Sequence, residues 1–139
     1  MNEYSYNEID VGLTEQFKVT VDEAMLNFFL KITGDVNPLH NDSKFAQSKS
    51  YPDRIAYGML TASFLSTLAG VYLPGKNSLI HSVETKFVNP VFIGDNLLIK
   101  GLVTEKNDTF QLLVLKVVIT NQKNQKVLKG IMKVGVLNE

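Results

Sequence analysis

The chain has 139 residues, 45% of them hydrophobic, which suits one domain with a proper core and makes a second folded domain unlikely on size alone. Fourteen basic against fourteen acidic side chains leave no formal net charge, so no basic field draws nucleic acid and no polybasic run holds a membrane surface. Cysteine is absent, excluding disulfides, thiolate metal sites and a thiol nucleophile, and with only His40 and His81 a zinc site would need carboxylates to fill it. A small molecule or a second copy of the chain is the expected partner.

The first residues, Met-Asn-Glu-Tyr-Ser-Tyr-Asn-Glu, are polar and acidic, without the basic start and apolar run of a secretory signal, so a cytoplasmic location is expected. Asp10 to Val19 alternates loosely and is read as a first strand or extended arm. Thr20 with Glu23 three residues on forms a capping-box pattern, and Val21, Met25, Phe28, Phe29 and Ile32 fall on a single apolar helical stripe. That helix is predicted to end near Thr33, at Gly34.

Thr33 to His40 then reads Thr-Gly-Asp-Val-Asn-Pro-Leu-His. Gly34 and Pro38 make it too irregular for one helix face, but a tight loop can bring Asp35 and His40 to one point. A carboxylate and an imidazole that converge can share a water, one accepting a proton while the other donates, the minimum equipment for general acid–base catalysis. The structural alternative is that Asp35 caps its own turn. Asn37 and Pro38 are read as loop scaffold, through the Asn37 amide and the fixed backbone of proline.

From Asn41 to Arg54 the chain is polar, with Phe45 and Ala46 as the inward anchors and Tyr51-Pro52 as a break, and a surface overhang with a short helix is expected. Gly58 to Leu73 follows as a helix with no polar face beyond small hydroxyls, which calls for enclosure on all sides. At 1.5 Å per residue it is about 24 Å long, and it ends at Pro74-Gly75. Its glycines, hydroxyls and proline distinguish it from a bilayer span.

The remainder alternates as strands. Leu79, His81, Val83, Thr85 and Phe87 are read on one face; Leu97, Ile99 and Val103 belong to the next strand; Phe110 to Ile119 is nearly all apolar; Val127 to Val136 closes the chain. Asn107-Asp108 and Asn121 to Gln125 supply turns, and Pro90 with Gly94-Asp95 a longer corner. Such short connections make neighbouring strands antiparallel. Lys116, Lys129 and Lys133 are read as solvent-face charges, and His81 as an ordinary sheet residue.

The run Phe29-x-x-Ile32-Thr33-Gly34-Asp35-x-Asn37-Pro38-Leu39-His40, followed by Ala46, resembles the signature of the MaoC-like, or R-specific, enoyl-CoA hydratases. The resemblance implies an α+β hotdog fold over residues 1–139, an antiparallel sheet wrapped around a long central helix, with the overhang covering an acyl-CoA pocket. It implies that Asp35 and His40 hold the catalytic water, and that the Gly58 N–H, at a helix N-terminus, stabilises the thioester oxygen. In the family the helix usually opens His-Gly-Met, whereas here it opens Tyr57-Gly58-Met59, so Tyr57 is a departure at a supporting position. Ser66, eight residues after Gly58, matches a serine that supports the catalytic Asp. The implied activity is hydration of a trans-2-enoyl-CoA to the R-3-hydroxyacyl product, or the reverse dehydration. No cofactor or metal is implied, the CoA or acyl-carrier-protein thioester being the substrate, and a homodimer is expected. A non-catalytic acyl-thioester-binding module, favoured by the change at Tyr57, and a hotdog thioesterase are the alternatives.

Overall fold

In the computed structural model, which describes residues 1–138, apolar alternation builds five strands: β1 (Thr14–Thr20), β2 (Ser78–Phe87), β3 (Asn96–Asn107), β4 (Leu112–Thr120) and β5 (Lys126–Val136). They form one sheet in the order β1-β3-β4-β5-β2, with all neighbours antiparallel. Tight turns join β3 to β4 and β4 to β5. In the second, the Asn121 side-chain oxygen accepts from the backbone of Lys123 and Gln125, so the asparagine itself closes the turn.

Four helices lie between β1 and β2: α1 (Glu23–Thr33), α2 (Pro38–Asn41), α3 (Ser43–Ser48) and α4 (Gly58–Thr67), the last continued by a π-helical turn over Leu68–Tyr72. The alternation of β4 shows how the sheet takes α4. Leu113, Leu115, Val117 and Ile119 are wholly buried in the core shared with Leu60, Leu65, Leu68 and Ala69 of the helical stretch. Leu112, Val114, Lys116 and Val118 alternate with them on the other face. This is the hotdog arrangement, sheet around helix.

Several sequence expectations change in detail. Asp22, not Thr20, caps α1, accepting from the Met25 N–H at 2.9 Å; Thr20 is still in β1 and bonds Asn96. Gly34 ends α1 as expected, in the left-handed conformation (φ 71°) that glycine adopts without Cβ strain. The α1 stripe is only partly inward: Met25 and Phe29 are half-buried, while Phe28 and Ile32 are exposed, Ile32 to 81%, and the buried residue of the helix is Leu26, which is not on that stripe. The overhang carries its expected short helix, α3, with Ala46 as the buried anchor, and a further short helix, α2, precedes it. Nor is α4 enclosed all round in the protomer, because Met59, Ser63 and Ser66 share an exposed face. Phe110 is outside β4 and 74% exposed in the preceding turn. In β2 a register shift between Ile80 and Ser82 interrupts the alternation, so His81 lies in a bulge and Leu79 does not share a face with Val83. Lys116, Lys129 and Lys133 are exposed on the outer sheet face.

Candidate active site

The loop between α1 and α2 is folded by its own short polar side chains. The Thr33 hydroxyl donates to the Phe29 carbonyl (2.7 Å) and accepts from the Asp35 N–H (3.2 Å). An Asp35 carboxylate oxygen accepts from the Asn37 N–H (3.1 Å), and Asn37 accepts from the Leu39 N–H (2.9 Å), capping α2 with Pro38 in its first turn. Asn37 is thus the loop scaffold that its residue type suggests.

His40 leaves this loop half-buried, with Nδ1 2.7 Å from the Ile55 carbonyl oxygen. A carbonyl only accepts, so Nδ1 carries the proton of that bond, and in the neutral ring the lone pair is on Nε2. The Ile55 N–H donates in turn to the Leu39 carbonyl (3.1 Å), holding the two segments side by side.

Tyr57 locks the arrangement. It is 1% exposed, and its hydroxyl donates to the Asp35 carbonyl at 2.8 Å while the Asn41 amide donates to it at 3.3 Å. Its ring lies 4.2 Å from the His40 ring and 4.8 Å from that of Phe29, centroid to centroid. The departure from the family's histidine therefore supplies a hydrogen bond to the loop backbone and an aromatic wall for His40.

Tyr57 is also the N-cap of α4, without a side-chain cap bond, and Gly58 is the first residue of the helix. Among the described residues no backbone carbonyl takes the Gly58 N–H, which leaves this donor at the positive end of the helix. A Cβ at Gly58 would stand 3.2 Å from the Phe87 ring, tighter than an ordinary contact, so glycine suits the close approach of helix and strand.

A cavity of about 270 Å³ opens here, and its walls include His40, Gly58, Thr61, Phe87, Val91 and Val127. The sequence-selected residues divide around it. His40 and Gly58 line it; Tyr57 and Asn37 support the loop behind it; Asp35 is exposed and does not line it; Ser66 is exposed on the outer face of α4. Thr61 was not singled out from sequence, although one signal was available: it stands three residues after Gly58, on the same side of the helix. A second groove, of about 480 Å³, lies against the outer sheet face and is lined by Glu84, Lys86, Lys116 and Lys129 among others, with no histidine. Among the described residues no three His, Asp or Glu side chains gather as a metal site, and no helix is long and apolar enough to cross a membrane.

The sequence profile described as a MaoC like domain matches residues 6–125. A 3-hydroxybutyryl-CoA dehydratase of Methylorubrum extorquens is 37% identical over 72% of this chain and 64% of its own length. An (R)-specific enoyl-CoA hydratase of Rhodospirillum rubrum is 34% identical over 73% of each chain. Among solved structures, an unliganded R-hydratase from Pseudomonas aeruginosa superposes with a TM-score of 0.91 at 28% identity, covering 97% of this chain and 86% of that one. The (R)-hydratase of Aeromonas caviae gives 0.88 at 30% identity, covering 92% and 97%.

Proposed function

Because the chain belongs to the MaoC-like domain family, we propose that it is a hydro-lyase that adds water to a trans-2-enoyl-CoA to give the (R)-3-hydroxyacyl-CoA, or removes water in the reverse direction. The observation that carries this reading is the His40 imidazole on the cavity wall, its Nδ1 bound by the Ile55 carbonyl, facing the same space as the N-terminal residue of α4.

In this reading the Nε2 lone pair of His40 takes a proton from water as the water oxygen bonds to C3. The electron pair of the C2=C3 bond moves toward the thioester, whose oxygen gains charge and is held by the Gly58 N–H. The imidazolium returns its proton to C2, so one water is added and the histidine is regenerated. General acid–base catalysis of this kind contributes about 10²- to 10⁴-fold, and one oxyanion donor about 3 to 4 kcal/mol. Asn37 and Tyr57 fix the loop, and for Asp35 to be the second holder of the water, with Ser66 as its supporting hydroxyl, its carboxylate has to leave the turn it closes in the protomer and swing toward the cavity.

The same reading treats residues 1–139 as one functional unit and includes a homodimer. Met59 on α4 and Leu79, Val83 and Phe87 on β2 are exposed beside a sheet edge that pairs with no further strand among the described residues. A second copy pairing there would cover both. A cytoplasmic location also belongs to the reading and is checked by fractionation.

One observation favours a binding module instead: Asp35 closes its own turn and stays outside the cavity of the protomer. Loss of enoyl absorbance on mixing with crotonyl-CoA, with chirality of the product, separates the two. Turnover to the R product supports the hydratase; binding without turnover supports the module.

A further inference from the structure

Thr61 is the one polar side chain of α4 that is enclosed, with 2% of its surface exposed. Several helical hydroxyls meet their own backbone: Thr33 donates to the carbonyl four residues back at 2.7 Å, and Ser63 to the one three back at 2.6 Å. Thr61 does neither. The carbonyl within its reach, that of Tyr57, already accepts from the N–H groups of Leu60 (3.0 Å) and Thr61 itself (3.2 Å). Every fully sealed side-chain polar atom among the described residues has a partner, so the unpaired Thr61 hydroxyl is not fully sealed, and Thr61 is a lining residue of the cavity. A hydroxyl taken from bulk water and given no protein partner is a cost, which a ligand oxygen can offset.

Its position suggests which oxygen. Thr61 is three residues beyond Gly58 and more deeply buried, a rise of about 4.5 Å along the same side of the helix. An acyl chain with its thioester oxygen at the Gly58 N–H and running on into the cavity would bring C3 toward Thr61, which lines the same cavity. His40 lines that cavity as well. We infer that the Thr61 hydroxyl is a further substrate contact, hydrogen-bonding the oxygen on C3 of a 3-hydroxyacyl thioester and, in the hydration direction, the water that becomes it. The bond is a contact only; no proton leaves Thr61. The inference rests on the hydratase reading, which is what places an oxygen at C3.

The test compares the dissociation constants of (R)-3-hydroxybutyryl-CoA and butyryl-CoA for the wild type, Thr61→Val and Thr61→Ser. The wild type is expected to favour the hydroxylated ligand about tenfold, as one hydrogen bond of about 1.4 kcal/mol would give. Thr61→Val, of equal shape, should lose most of that preference while butyryl-CoA binding changes less than about threefold. Thr61→Ser should retain it. Thr61→Val should melt no lower than the wild type, since a methyl replaces an unpaired buried hydroxyl. A wild type indifferent to the hydroxyl, or a Thr61→Val variant that keeps the preference, overturns the inference. Crotonyl-CoA turnover by the wild type is scored separately: its absence, with the hydroxyl preference intact and Thr61-dependent, refutes the hydratase while leaving the contact standing.

Discussion

Two strands of one sheet, β4 and β2, are both rich in apolar residues and meet opposite surroundings. In β4 every second side chain from Leu113 to Ile119 is fully buried against the helical core. In β2 no residue is buried, and Leu79, Ile80, Val83 and Phe87 all keep a third or more of their surface exposed. The protomer core thus closes without the exposed surface of β2. In the proposed homodimer this exposed surface of β2 and the outer side of α4 would be the contact, placed beside the cavity through Phe87, which lines it.

The contrast predicts different responses to similar substitutions. Leu115→Ala removes a fully enclosed side chain, and a loss of about 2–5 kcal/mol is expected, read as a lower urea midpoint at unchanged slope. Val83→Lys should alter folding of the protomer by no more than about 0.5 kcal/mol. It should nevertheless weaken self-association at least about tenfold in sedimentation, because it places charge on the open edge. A Val83→Lys variant that unfolds without changing association would erase the distinction between the strands.

A third effect, confined to alkali, is expected at Tyr6 in the core. Burial pushes the Tyr6 phenol up to about 12, aided by its 2.6 Å hydrogen bond to Asp108 and by that carboxylate's charge. The fold therefore favours the neutral phenol. Its contribution is complete below the ordinary tyrosine value of about 10 and is lost as pH rises from there toward 12. Tyr6→Phe should flatten this part of the stability profile and leave the neutral region's pH dependence unchanged.

Much of this organisation was legible in the residues, and the misses have physical causes. Gly34 announced the end of α1 because only a left-handed residue closes a helix there, and the Asn121 turn followed from an asparagine that bonds its own backbone. The Thr20 capping box failed because β1 runs through Thr20 along β3, a tertiary pairing, and Asp22 caps α1 in its place. The bulge at His81 left no mark in the alternation. Phe28 and Ile32 share the apolar stripe of α1 but lie on its uncovered flank.

The site was legible to the same extent. His40 and Gly58 reach the cavity, and Asn37 serves the loop as its type suggests. The residues say that Asp35 is near His40 but not where its carboxylate points, and in the protomer that group closes its own turn. Thr61 escaped notice because a threonine in a helix ordinarily bonds the preceding turn, and only coordinates reveal that this one does not.

The most direct measurement is the rate of crotonyl-CoA hydration by the wild type beside His40→Ala and Asp35→Asn, each first shown to be folded and, for Tyr57-dependent packing, to melt as the wild type does. The account predicts that kcat/KM falls about a hundredfold or more in both variants. A wild-type rate that either substitution leaves within about threefold would contradict the assignment of the chemistry to this pair.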